Sequence, residues 1–155
     1  SSDDLLDPRK VEMQLATLKA AGPGAKLSFH RYQSFEDGSE SFARYSQMPS
    51  WSSIEEQMSV LSQVCAFNGS TIMVHKPVFA EVGLFNPEYR YGQDWEWFCR
   101  AGEKHLWYGI GEILGSRREV ASNLTAQIAA SSEKQLRRDM EDAAIRERYA
   151  TWRRK

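Results

Sequence analysis

The stretch at residues 91–97, YGQDWEW, places an aspartate at the start of a helix and constrains the fold more than any other feature. From Trp95 to Gly102, residues suited to burial recur at i, i+3, i+4 and i+7, the spacing of one buried helix face. Asp94 therefore lies in the first helical turn, with Trp95 and Phe98 bracing it from behind. Two interpretations are open: a site carboxylate, or an acid that only favours the helix dipole.

Local signals on both sides of this helix predict further strands and helices. Residues 68–74 predict a strand, and Pro77 and Gly83 mark the first position and the end of a short helix. Beyond the central helix, residues 107–110 and 112–114 predict a pair of strands.

The first third of the chain adds a hairpin and two helices. Residues 26–35 alternate and predict a strand, and Asp37-Gly38 predicts a turn that pairs it with residues 42–45. Helices are predicted after Asp7-Pro8 and over residues 54–64. The inner face of the first helix is predicted to carry Val11, Leu15 and Leu18. Strands alternating with helices, together with the hairpin, predict an α/β fold with a mixed sheet flanked by helices.

The C-terminal segment at residues 133–155 predicts one long helix with eight basic and five acidic residues. Its apolar positions form an irregular stripe of five residues: Leu136, Met140, Ile145, Tyr149 and Trp152. Such a helix either lies over the body of the protein or contacts a partner or a membrane surface.

Composition limits the function classes. The 155 residues include 20 basic and 21 acidic side chains, and the net charge of -1 gives no basis for nucleic-acid binding. The apolar runs fall well short of the roughly 20 residues that a transmembrane helix needs. The two cysteines have no metal-ligand spacing and are interpreted as reduced thiols. These features predict a cytoplasmic protein, with the inner face of the membrane as an additional location.

An acidic pair, Asp3 and Asp4, precedes the first helix. Carboxylate oxygens can bind a hard cation, so the pair is a candidate metal site. Equally, two acids ahead of a helix can be a solvated lead-in.

Taken in order, these segments resemble family 2 glycosyltransferases, which are inverting enzymes with the GT-A fold. Three matches carry the resemblance: the acidic pair with its Pro-led helix at residues 3–14, the series NGST, KPVF and EVGLFN within residues 68–86, and the Gln-Asp-Trp helix start at residues 93–95 with Arg100. The resemblance covers about residues 1–125 and implies a partial GT-A-like mixed sheet.

The resemblance implies transfer of a sugar from a nucleotide-diphospho-sugar to an acceptor hydroxyl, with inversion. Asp94 would be the general base that takes the proton of the attacking hydroxyl. Asp3 and Asp4 would hold Mg or Mn on the donor diphosphate, and Arg118 would contact that diphosphate. Four residues would bind the saccharide or lipid-linked acceptor: Gln93, Trp95, Trp51 and Asn68.

We expect residues 1–125 to be the acceptor-side part of a GT-A domain, part of or truncated from a larger enzyme, and residues 126–155 to be a helical extension. The alternative is a non-catalytic saccharide-binding or oligomerising module derived from a glycosyltransferase. It is favoured because Ser1 and Val120 occupy positions where the family has an acid and a histidine. An exposed sheet edge or the C-terminal helix would then pair with a second copy, or the helix would contact a membrane surface.

Overall fold

The computed structural model describes residues 4–36, 42–120 and 123–154, which form a mixed β-sheet with helices packed against it. The strands are β1 (Leu5–Leu6), β2 (Leu27–Glu36), β3 (Phe42–Tyr45), β4 (Met73–Val74) and β5 (Trp107–Glu119). The helices are α1 (Lys10–Ala21), α2 (Ile54–Leu61), α3 (Val78–Val82), α4 (Gln93–Gly102), α5 (Leu124–Ala129) and α6 (Ser132–Arg148). The predicted α/β class is confirmed.

The sheet is organised around β2 and β5, which run parallel from the Leu27–Trp107 pair to the Glu36–Glu119 pair. On the other side of β2, β3 pairs antiparallel, as the predicted hairpin requires, while residues 37–41 of its turn lie outside the described part. β1 pairs antiparallel with β5, and β4 pairs antiparallel with the start of β2. One parallel pair bordered by antiparallel strands makes the sheet mixed, as predicted.

The prediction of two short strands around Gly111 is wrong, because β5 continues through this glycine as one strand. His30 pairs with Ile110, whereas the next residue, Arg31, pairs with Ile113, so β5 has two extra residues at this point. Such a bulge bends a strand without ending it. β5 therefore follows β2 along the rest of its length.

The predicted inner face of α1 is wrong at Val11 and Leu15, whereas Leu18 is half-buried. Val11 and Leu15 are 56% and 44% exposed, whereas Lys10 and Gln14 are buried. Lys10 Nζ donates to Gln14 Oε1 at 2.6 Å, and Gln14 Nε2 donates to the carbonyl oxygen of Thr71 at 3.0 Å. Polar side chains can occupy the inner face because these hydrogen bonds compensate for the loss of water.

α4 carries the predicted buried stripe, which consists of Trp95, Phe98, Cys99 and Gly102. A buried glutamine of α2 ties this helix to the sheet: Gln57 Nε2 donates to the Gly102 carbonyl at 2.9 Å, and Gln57 Oε1 accepts the backbone N–H of Trp107 at 2.7 Å. The end of α4 and the start of β5 are thereby held at a defined position relative to α2.

The helix predicted over residues 133–155 forms as α6 but ends at Arg148, and a 3₁₀ turn (Ala150–Arg154) follows it. The helix α5 precedes this segment and is separate from α6. Ile145 and Tyr149 are 0% and 2% exposed and belong to the core. Leu136 and Met140, nearer the start of α6, are 62% and 65% exposed. The interpretation of a helix laid over the body therefore holds for the second half of α6. Among the described residues, no helix has both the length and the apolar character needed to cross a bilayer.

We expect Ile145→Ala to lower the free energy of unfolding by about 2–5 kcal/mol, because it leaves a cavity in a packed core. Met140→Ala, on the same helix, is the matched control and should change it by no more than about 0.5 kcal/mol, since its side chain is exposed. Urea titration followed by tryptophan fluorescence measures both values. Equally small effects of the two substitutions would exclude α6 from the cooperative core.

Candidate functional site

A cavity of about 680 Å³ lies between β2, the end of β5, the start of α4 and the helices α5 and α6. Its charged lining consists of three aspartates and four arginines: Asp4, Asp94, Asp142, Arg90, Arg117, Arg118 and Arg138. Arginines suit phosphate and other anionic groups, and carboxylates accept hydrogen bonds from hydroxyls. The cavity can therefore bind a ligand that carries both kinds of group.

Most of the residues predicted from the sequence come together around this cavity. Its lining includes Asp4, Asn68, Gln93, Asp94, Trp95 and Arg118. Trp51 is not part of the lining: its indole N–H donates to the carbonyl of Trp107 at 2.7 Å, and its ring packs against Phe29. The structure thus places Trp51 in the packing of the sheet. Asp3 lies outside the described residues.

Asp94 lies in the first turn of α4, as predicted, and its Oδ1 accepts the backbone N–H of Trp95 at 2.8 Å. Its Oδ2 faces Gly69, where an added Cβ would be 3.9 Å away. Burial raises the pKa of Asp94; backbone N–H groups and Arg138 oppose this rise, and Asp142 adds to it. A raised pKa makes the carboxylate a stronger base, which suits proton abstraction from a hydroxyl.

Asp4 joins the site through a short turn. Ser70 Oγ donates to Asp4 Oδ2 at 2.6 Å. Asn68 Oδ1 accepts the backbone N–H of Ser70 at 2.8 Å and caps the 3₁₀ turn Gly69–Thr71. Since Gly69 of this turn lies beside Asp94, the same turn lies next to both Asp4 and Asp94.

The predicted metal site is described only at Asp4. Within residues 4–36, 42–120 and 123–154, no three histidine, cysteine, aspartate or glutamate side chains form a group that could hold a metal ion. Mg²⁺ and Mn²⁺ are bound mainly through oxygen ligands, and Asp4 by itself does not make such a set. We therefore assign no chemical step to a metal, and the Mg or Mn site at Asp3 and Asp4 stays a prediction.

Two arginines extend from the last part of β5 to the cavity. The Arg118 guanidinium lies 5.3 Å from the ring centroid of Phe35. Arg117 Nη2 donates to Thr125 Oγ1 at 2.9 Å and so links β5 to α5. These side chains place positive charge on the β5 wall, where charge-assisted hydrogen bonds to a phosphate would be strong.

Trp95 borders the cavity but is mainly a core residue. It is 3% exposed, and its indole N–H donates to the carbonyl of Leu61 at 2.7 Å. The guanidinium of Arg146 lies 5.1 Å from the centroid of its ring. The indole therefore supports α4 from the interior, while acceptor binding by Trp95 stays a prediction.

The sequence interpretation missed the contribution of α6 to the site. Arg138 and Asp142 line the cavity, and Glu141 binds backbone N–H groups of the loop that precedes α4. These three residues and Ile145 follow an i, i+3, i+4, i+7 spacing, so they share one helix face. That spacing was the available signal, because Ile145 marks the face as the inner one.

Comparison of the sequence with models of known protein families gives no match, and comparison with curated proteins gives none either. The class that the structure defines is a mixed α/β protein with a charged cavity, lined in part by its two parallel strands.

We expect Asp94→Asn to make the folded protein more stable at about pH 7. An acid whose pKa is raised by folding destabilises the folded state when it is ionised, and this cost disappears as the pH falls through the folded and then the unfolded value. Urea midpoints between about pH 4 and pH 8 should therefore show an advantage of the variant that shrinks toward acid pH. An advantage that is absent or independent of pH would contradict the burial of this carboxylate.

Proposed function

We propose that this chain is the acceptor-side part of an inverting glycosyltransferase of the family 2 type, in which Asp94 removes the proton of the attacking acceptor hydroxyl. The observation that carries this proposal is that a carboxylate with a raised pKa shares one cavity with Asp4, Asn68 and Arg118. These residues are far apart in the sequence, and the family resemblance picks out each of them. Their position around a single cavity therefore supports the proposal.

The proposed reaction has one bond forming and one breaking at the anomeric carbon. The acceptor oxygen attacks this carbon while its bond to the nucleoside diphosphate breaks, and the acceptor proton passes to Asp94. The leaving diphosphate takes up the electron pair, and its negative charge would be stabilised by Arg117 and Arg118. Attack opposite the leaving group inverts the configuration, and Asp94 afterwards releases its proton to water.

Donor binding is tested by calorimetric titration of UDP and of GDP into the chain, with and without Mn²⁺. We expect one nucleotide to bind, and Arg118→Met to weaken its binding by about tenfold or more, because a charge-assisted hydrogen bond is lost. Lys19→Met is the control, because this exposed lysine of α1 is not part of the cavity lining. Dependence on Mn²⁺ would support the role of Asp3 and Asp4. If neither nucleotide binds with or without Mn²⁺, this chain has no donor site. The remaining interpretation is then an acceptor-side module.

The role of Asp94 is tested in an enzyme that contains this segment and carries out transfer. We expect Asp94→Asn to lower kcat by about 10²–10⁴-fold, the usual contribution of general base catalysis. Asp139→Asn is the matched control, since Asp139 is an exposed acid of α6 that is not part of the cavity lining. Retained turnover in the Asp94 variant would exclude this residue as the base.

A second candidate function is a non-catalytic, oligomerising module, and one surface feature favours it. β1 is an edge strand of the described sheet, and its Leu5 and Leu6 are 53% and 54% exposed. Exposed edge strands readily pair with another chain. Sedimentation measurements would support this candidate if the mass rises with protein concentration and Leu5→Lys abolishes the rise.

A further inference from the structure

One carboxylate of α6 binds three consecutive backbone N–H groups in the loop before α4. Glu141 Oε2 accepts the N–H of Tyr91 at 2.7 Å and of Gly92 at 2.9 Å, and Oε1 accepts the N–H of Arg90 at 3.0 Å. Arg137 Nε donates to Oε1 at 3.1 Å, and the glutamate is 8% exposed. Burial would by itself raise the pKa of Glu141, but the hydrogen bonds from the three amides and from Arg137 outweigh it and lower the pKa.

Successive amides that point toward one place form a concave site for an anion. Gly92 is also the N-cap of α4, where a negative charge is favoured by the helix dipole. The anion is here supplied by the protein itself, from a helix that follows much later in the chain. Residues 90–92 therefore have their conformation determined by a contact with α6 rather than by local sequence alone.

Packing reinforces this contact at Gly92. A Cβ at this position would lie 2.9 Å from Cδ1 of Ile145 and 3.8 Å from Cβ of Glu141. The φ angle of Gly92 is -101°, which any residue can adopt, so the glycine is needed for space and not for its backbone conformation. Loop and helix thus meet closely both through hydrogen bonds and through van der Waals contact.

We infer that Glu141 is a positioning residue, which holds residues 90–92 against α6 and thereby fixes Asp94, two positions further on, in the cavity. The catalytic meaning of this inference rests on the proposed function. The positioning itself does not, because it can be measured in the whole chain without any transfer assay.

The test compares Glu141→Gln with Glu147→Gln by nuclear magnetic resonance on the full chain. Glutamine has nearly the same size but loses the charge and one acceptor oxygen. We expect Glu141→Gln to speed hydrogen exchange of the Tyr91 and Gly92 amides by about tenfold or more, because bonds to a charged acceptor are lost. The pKa of Asp94 should fall toward its ordinary value, since a displaced carboxylate is better hydrated. Glu147 is an exposed residue of the same helix, so Glu147→Gln should change neither the amide exchange rates nor the pKa of Asp94.

The pKa of Asp142 distinguishes two effects of Glu141→Gln on Asp94: displacement of its carboxylate, and loss of the negative charge of Glu141. Burial raises the pKa of Asp142, and the charges of Asp139 and Glu141 add to this rise. The charges that act on Asp94 are foremost those of Arg138 and Asp142. A change that lowers the pKa of Asp142 but not that of Asp94 is therefore an effect of charge alone and would overturn the positioning role.

Chemical rescue provides a second measurement. Glu141→Ala leaves the three amides with space for a small carboxylate, so formate should restore slow exchange at Tyr91 and Gly92 in a saturable manner. Chloride at the same ionic strength should not restore slow exchange, because a single atom cannot replace the two carboxylate oxygens that accept the three hydrogen bonds. Equal effects of formate and chloride would contradict a specific carboxylate contact.

The outcomes decide between positioning and simple stabilisation. If Glu141→Gln lowers stability but leaves the Asp94 titration and both amide exchange rates equal to those of Glu147→Gln, the positioning role is excluded. If Glu141→Gln does not fold, Glu141→Asp keeps the charge with a shorter reach and is judged by the same two signals. If Glu141→Gln shifts the pKa of Asp94 but an enzyme carrying Asp94→Asn still transfers sugar normally, the positioning role is upheld and the proposed function is rejected.

Discussion

The parallel pairing of β2 with β5 is the interaction on which the other parts of the structure depend. It joins Leu27 to Trp107 and Glu36 to Glu119, so that α2, α3 and α4 all lie in the connection between the two strands. Parallel strands end at the same edge of a sheet, and ligands of α/β proteins are commonly bound there. Tyr32 of β2 and Arg117 of β5 accordingly line one cavity, and the first turn of α4 contributes to the same lining.

The parts of the fold that could be predicted are those determined by local physics. The stripe of α4 is visible because burial of one helix face imposes its period on the sequence. α3 is visible because Pro77 fits the first helical turn and Gly83 adopts a φ of 85°, which favours glycine. Asp94 was identified for the same reason, since its place in the first turn of α4 follows directly from that stripe.

The parts that could not be predicted depend on partners that only the folded chain brings together. A hydrophobic pattern assigns Lys10, Gln14 and Glu141 to the surface, yet all three are buried against backbone groups distant in sequence. Gly111 looked like a turn because nothing local shows that β5 has a partner strand on which to continue. In both cases the structure is stabilised by hydrogen bonds between segments distant in sequence. Such bonds produce no periodic pattern in the sequence.

The bond between Glu141 and the loop also determines when the site can form. Glu141 follows Arg90 by 51 positions, and its helix docks on a core that requires the β2–β5 pairing. During synthesis the strands and α4 are complete before α6 has emerged. The cavity wall and the loop before Asp94 are therefore completed only when α6 docks, and a chain that ended before Glu141 would lack the carboxylate that holds residues 90–92.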